Sequence, residues 1–298
     1  MNTLDEILST NQYIDYCNTE FQKVPSDNEF YYFYKYLNFQ NGLGVLGVID
    51  DCTLKYTNPI FFNDPYDCMY SMELDFSDFT KSKCEEQYNQ KIKTSDWFKI
   101  KEKIKAQLKT SVDEKIMQNI RENFSITCFS TDPLNILMWS HYAHNHTGFL
   151  VEFKHPKRLL NNALLDSGSI PLPVIYTNNF PKINVNWNVE KIYSSQKHMF
   201  EFTSKMVLHK ASCWEYEKEF RLVSDKQPNP ENNLILSPYS PGCLSSIIFG
   251  SRISELHKKA IRQSILAFNK KFDSNVLCYQ SNLKKNKYEL EVPNHPML

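Results

Sequence analysis

Charged side chains alternate along one short stretch of the chain: Glu215, Glu217, Glu219 and Arg221 in WEYEKEFRLV (Trp214–Val223). A two-residue period puts them on one face of a strand, opposite Tyr216, Phe220 and Leu222, with Lys218 as the exception on the apolar side. Carboxylates in such a row suit general acid–base work. Joined by Asp64 and Asp67 of the upstream FNDPYD segment, they would also suit Mg²⁺, provided that all four converge on one point. The bland counterpart is the solvated face of an edge strand, paired with lysine or arginine neighbours. His141, His144 and His146 give H-x-x-H-x-H, but no carboxylate or cysteine stands nearby to complete a metal site, and none is assigned. His141, one residue after Ser140 at the end of a short helix, is a candidate for proton transfer from a pocket-facing position. Asn63-Asp64-Pro65 exposes polar groups beside two aromatics, or is a turn in which Asp64 caps backbone N–H groups. Trp139 and Trp214 read as core or pocket walls before they read as stacking platforms.

These residues need a scaffold, and its centre is Ile126–Phe153, in which a strand (Ile126–Ser130), a short helix (Leu134–Tyr142) and a second strand (Phe149–Phe153) follow one another. Upstream, Glu29–Leu37 reads as a strand, Asn41–Asp50 as a glycine-weakened helix and Thr53–Thr57 as a strand. Downstream come a strand at Val174–Thr177, a helix at Gln196–Lys210 and strands at Leu234–Leu236 and Ser245–Phe249. A helix over Ile253–Phe268 turns Ile253, Leu256, Ala260, Ile261, Ile265 and Phe268 inward, and strands at Val276–Tyr279 and Tyr288–Val292 close the chain. Strands grouped in this way predict an α+β fold with a mixed or antiparallel sheet and flanking helices. Residues 1–28 read as a helical N-terminal leader packed on the body. Residues 29–298 form a single α+β domain with a helical insertion at 80–122, whose stripe of Trp97, Phe98, Ile100, Ile104 and Leu108 covers one side of the sheet.

Composition narrows the function classes. The 298 residues carry 34 Lys+Arg and 34 Asp+Glu, so no overall field draws in nucleic acid or an anionic membrane. No apolar run approaches the ~20 residues of a membrane helix, and the N-terminus MNTLDEILSTNQYIDY has acids where a secretion signal has a basic region and an apolar core. A soluble cytoplasmic protein is expected. The eight cysteines contain no C-x-x-C pair and read as reduced core residues.

The strings YKYL (Tyr34–Leu37), FNDPYD (Phe62–Asp67), CFS (Cys128–Ser130), LMWSHYAHNHTGFLVEF (Leu137–Phe153) and K-x-x-x-W-x-Y-E-x-E-x-R (Lys210–Arg221) resemble, in order and spacing, the bacterial domain-of-unknown-function family 2971, over roughly residues 31–250. That resemblance implies no reaction, although some members look like parts of anti-phage defence loci. A more distant resemblance, in element order, is to the DarT-like and RNA 2′-phosphotransferase-like branches of the ADP-ribosyltransferases. It implies NAD as substrate, with Lys35 beside Tyr34 replacing the Arg or His that holds phosphate or ribose on the first strand. Ser130 takes the place of the serine that props the catalytic glutamate. Glu219 would stabilise the oxocarbenium-like ribose and Glu217 would activate the acceptor.

The expected function is thus an NAD-dependent ADP-ribosyltransferase or NAD glycohydrolase acting as a toxin or defence effector, with a nucleic-acid or protein acceptor and an antitoxin or defence-system partner. The alternatives are an Mg²⁺-dependent nuclease using Asp64, Asp67, Glu217 and Glu219, and a non-enzymatic sensor whose MWSHYA unit forms a pocket for a nucleotide or phage product. In the enzymatic reading Tyr34, Lys35, Asn63, Asp64, Ser130, Trp139, His141, Glu217 and Glu219 surround one pocket.

Overall fold

In a computed structural model, which describes residues 10–159, 170–187, 206–224 and 234–298, the aromatic run FYYFYKYL forms β1 (Phe30–Leu37). The two-residue alternation of its side chains divides it between two cores. Phe33 packs with Phe129 and Phe220 on one face, while Tyr32, Tyr34 and Tyr36 meet Met138 and Trp139 on the other. Ahead of it, α1 (Thr10–Phe21) buries Tyr13, Cys17 and Phe21, the last edge-on to Phe220 and Phe33. The part of the expected leader before Thr10 lies outside the described residues. The glycine-rich stretch becomes a 3-10 turn, Gly42–Leu46, running into the single turn of α2 (Gly47–Asp50) before β2 (Thr53–Thr57).

The chain continues through β3 (Ser71–Asp75), α3 (Lys81–Tyr88), α4 (Trp97–Asn123), β4 (Ser125–Ser130), α5 (Ile136–His141) and β5 (Phe149–Pro156). Next come β6 (Leu172–Pro173), β7 (Ile175–Thr177), β8 (Lys182–Asn186), β9 (His209–Ala211) and β10 (Glu219–Ser224). Finally β11 (Leu234–Pro238), β12 (Leu244–Phe249), α6 (Glu255–Phe272) and β13 (Leu277–Gln280) precede a small hairpin of Asn282–Leu283 with Leu290–Glu291. Among the described residues nine strands make one sheet in the order β11-β2-β4-β1-β5-β12-β13, with β10 on β4 and β6 on β10. Every pair in it is antiparallel except β12 with β13, which α6 joins as a crossover. The fold is α+β with a mixed sheet.

One strand has a divided edge. β10 pairs with all six residues of β4, from Glu219 opposite Ser130 to Ser224 opposite Ser125. The other edge of β4 is shared, with Tyr34 of β1 opposite Ser130 and Thr57 of β2 opposite Ile126. The two strands part between these contacts, and a cleft opens there.

Several expectations change. Trp97, Ile104 and Leu108 pack with Phe79, Cys84 and Trp187 in a separate small core, and Phe98 is exposed instead of joining the stripe. Leu256 likewise faces solvent on α6, where Ile261, Ile265 and Phe268 supply the buried face. The helix expected at Gln196–Lys210 lies mostly outside the described residues, and its last residues, His209 and Lys210, are in strand β9. Among the described residues no helix is long and apolar enough to cross a membrane. All eight cysteines are unpaired.

Candidate functional site

The alternation of WEYEKEFRLV does not make one strand. Ser212–Glu217 is a 3-10 turn, Lys218 adopts a left-handed conformation with φ 45°, and the strand begins only at Glu219. A non-glycine residue at positive φ is uncommon and persists only where its surroundings hold it. Here Ser130 Oγ donates to the Glu217 carbonyl at 2.6 Å, Thr131 N donates to the Lys218 carbonyl, and Asn135 Nδ2 donates to the Tyr216 carbonyl. Lys218 itself points outward and pairs with Asp132 Oδ2 at 2.9 Å. The corner turns both neighbouring glutamates inward, and Glu217 and Glu219 are buried.

What receives them is a set of buried charges drawn from three segments. Lys210 Nζ, carried in by β9, lies 2.5 Å from Glu217 Oε2, 2.9 Å from Glu219 Oε2 and 3.5 Å from Asp67 Oδ2. Arg221, with no solvent exposure, donates from Nε to Glu219 Oε1 at 2.8 Å and from Nη2 to Asp67 Oδ2 at 2.8 Å. Its Nη1 donates to the Val207 carbonyl at 2.7 Å, and Phe62 lies against its guanidinium. Tyr142 Oη donates to Glu217 Oε1 at 2.6 Å. Buried charges are tolerated only when paired and hydrogen-bonded as these are.

Among the described residues three carboxylates face two cations, and that imbalance separates the two glutamates. For Glu219, burial alone would raise the carboxyl, but Arg221 and then Lys210 outweigh it and hold the group well below the usual carboxylate range. For Glu217, burial is the largest influence and raises it, Lys210 opposes, and the charge of Glu219 adds to the rise, leaving it at about 7. Two carboxylates one residue apart thus differ in protonation at neutral pH, the condition under which one serves as a fixed anion and the other as an acid or base.

The pair faces the cleft between β1 and β2, which has a volume of about 460 Å³. Of the residues expected to form a site, Tyr34, Lys35, Asn63, Ser130, His141, Glu217 and Glu219 all line it. Lys35 Nζ spans the fork, donating to Thr127 Oγ1 at 2.7 Å and to the Cys128 carbonyl at 3.0 Å. His141 stands exposed at the margin of the cleft with its Nδ1 3.2 Å from Tyr216 Oη, not enclosed by the pocket. Ser130 holds the backbone of the corner rather than presenting a free hydroxyl.

Two expected residues are elsewhere. Trp139 is fully buried, donates Nε1–H to the Pro133 carbonyl at 2.8 Å, and packs between Tyr36 and His146 in the core. Asp64 accepts from Tyr66 N at 2.9 Å, the turn-capping reading, while its neighbour Asp67 enters the charge network. His144 and His146 belong with Asn145 to a run of three left-handed residues, and among the described residues no three His, Cys, Asp or Glu side chains are grouped to hold a metal. Lys210, Arg221 and Tyr142 are the site residues that sequence reasoning did not assign, and Asp67 was assigned only in the Mg²⁺ alternative. Lys210 and Arg221 do bracket the K-x-x-x-W-x-Y-E-x-E-x-R motif, and that was the available signal.

Residues 138–222 match the model of the family described as protein of unknown function (DUF2971), bearing out the resemblance to that family. The matched stretch holds Tyr142, Lys210, Glu217, Glu219 and Arg221, the whole charge network except Asp67. No curated protein and no solved structure matches the chain.

Proposed function

We propose that this chain, whose family carries no assigned reaction, cleaves the N-glycosidic bond of NAD and passes ADP-ribose to an acceptor or to water. The observation that carries the reading is the separation of Glu217 from Glu219 on a single ammonium, Lys210. Breaking a glycosidic bond places positive charge on the ribose, and a permanently ionised carboxylate lowers the energy of that charge. Glu219, engaged by Arg221 and Lys210, is the fixed anion. Glu217, titrating near 7, removes the proton of the incoming acceptor, and once it has lost its own proton the three carboxylates exceed the two cations by one charge.

The rest of the cleft fits a dinucleotide. Its volume lies within the ~300–1,000 Å³ typical of small-ligand sites. Lys35 and Lys55 offer cations for phosphate oxygens, and Phe61 and Phe62 offer apolar faces for a ring. His141 lines the same cleft at its margin, and we assign it the relay of the proton that Glu217 takes. Consumption of NAD suits a toxin or anti-phage effector restrained by an antitoxin or defence-system partner.

The test is nicotinamide release from NAD by the full chain, with EDTA and with Mg²⁺, and with protein and nucleic-acid acceptors supplied. Release that ignores EDTA supports the reading. Nucleic-acid cleavage that requires Mg²⁺, without NAD turnover, would replace it with the nuclease. Neither activity, together with no thermal shift by NAD, would leave the sensor.

A further inference from the structure

A second cleft of about 460 Å³ adjoins the first, and Glu219 is the residue that lines both. Its walls come from Tyr16 and Glu20 of α1 and Lys23 just after it, from Tyr176 of β7, and from the corner residues Glu215 and Lys218. Two hydrogen bonds shape it: Tyr16 Oη donates to the Val174 carbonyl at 2.8 Å, and Glu219 N donates to Tyr176 Oη at 2.8 Å.

The charges in this cleft cancel in pairs, with one left over. Lys23 meets Glu20 at 2.6 Å, Lys218 meets Asp132 at 2.9 Å, and Glu219 is occupied by Arg221 and Lys210. Glu215 is exposed, and among the described residues its carboxylate has no ion-pair or hydrogen-bond partner. Glu20 and Glu215 line the same cleft as Tyr16, and burial first, then Glu20, Cys17 and Glu215, push the Tyr16 hydroxyl up. An unmatched carboxylate beside two tyrosine rings attracts a cation by Coulomb force and by the negative faces of the rings. The same carboxylates repel an anion.

We propose that this second cleft binds an organic cation, an ammonium or guanidinium group, between the rings of Tyr16 and Tyr176 with Glu215 as its counter-charge. The cleft is mechanically close to the glutamate pair. Tyr176 of β7 stands opposite Lys210 of β9 in parallel register, so one two-stranded ribbon carries both a wall of this cleft and the ammonium shared by Glu217 and Glu219. Service as the acceptor end of the reaction rests on the NAD reading above; the binding of a cation does not.

Calorimetric titration of the full chain with agmatine, and separately with an end-blocked glycyl-arginyl-glycine peptide, tests the site. The expected result is saturable binding to wild type that weakens by roughly tenfold or more in Glu215→Gln, with an unchanged melting temperature because Glu215 is exposed. Tighter binding of the peptide identifies a protein-borne side chain, and tighter binding of agmatine identifies a free amine. Failure of both probes to bind wild type, or equal binding to Glu215→Gln, overturns the proposal. Nicotinamide release is read separately, so a protein that binds the cation and ignores NAD sinks only the earlier reading.

Discussion

Glu217 and Glu219 reach one ammonium, that of Lys210, from the two sides of a left-handed residue. In a regular strand their side chains would stand about 6–7 Å apart on a common face, each with its own neighbours. The φ of 45° at Lys218 instead points both inward, and they must share a charge.

Sharing makes stability depend on pH in a stated direction. Glu217 is raised to about 7 from an ordinary 4.5, so the folded protein holds its proton where the unfolded chain does not. That contribution is complete below pH 4.5 and is lost as pH rises through 7, on the order of 3 kcal/mol in all. Glu219 has the opposite sign: its contribution is present above the ordinary carboxylate value and is lost on acidification. Glu217→Gln should remove the decline between pH 5 and 8, so that its urea midpoint meets or exceeds that of wild type at pH 8. Parallel pH profiles for the two proteins would show that Glu217 does not titrate in this range.

Glu219→Gln should behave in the opposite way. It removes the carboxylate that Arg221 and Lys210 share; Asp67 and Glu217 still balance the two cations, but the buried charge-assisted hydrogen bonds from Arg221 Nε and Lys210 Nζ are weakened, each worth about 1.5–3 kcal/mol. Calorimetry should show a marked fall in melting temperature at pH 7. At a temperature where the variant is still folded, both transfer and hydrolysis of NAD should be absent, whereas Glu217→Gln should lose transfer first and keep slow hydrolysis.

His141→Gln tests the margin of the cleft. The imidazole is exposed and, among the described residues, touches only the Tyr216 hydroxyl by hydrogen bond, so stability should change by less than about 0.5 kcal/mol while NAD turnover falls. A large loss of stability would assign it a packing role instead.

Gly250→Ala probes the support beneath α5. A Cβ at this position would lie 2.2 Å from the His146 carbonyl and 2.7 Å from that of Gly148, and both are backbone atoms. The His146 carbonyl belongs to the run of three left-handed residues His144, Asn145 and His146, whose backbone would have to shift. Thermal unfolding should show a loss of at least about 2 kcal/mol, with cleft residues Met138, His141 and Tyr142 disturbed in turn.

Much of the architecture was legible because it rests on local regularities. The aromatic and β-branched runs at Phe30–Leu37, Ser125–Ser130 and Leu244–Phe249 and the helical period of Glu255–Phe272 each carry their own signal. The same rule misled at Trp214–Val223, where an alternation broken only at Lys218 runs through a left-handed corner at that residue. Of the two readings of Trp139, core or pocket wall, the core holds because its N–H is satisfied there by the Pro133 carbonyl, a pairing that no spacing reveals. The clamp itself was hidden for a different reason. Asp67, Lys210 and Arg221 lie up to 154 residues apart, and only the sheet brings their charges together.

The divided edge of β4 has a consequence for how the cleft changes over evolutionary time. Between Ile126 and Ser130 no strand covers that edge among the described residues, and Lys35 reaches across to the Cys128 carbonyl in place of one. Part of the cleft wall is therefore main chain, which substitution cannot alter. Selectivity written into such a wall drifts slowly, and the few side chains that reach over it, Lys35 foremost, become the positions at which a descendant of this protein could acquire a different ligand.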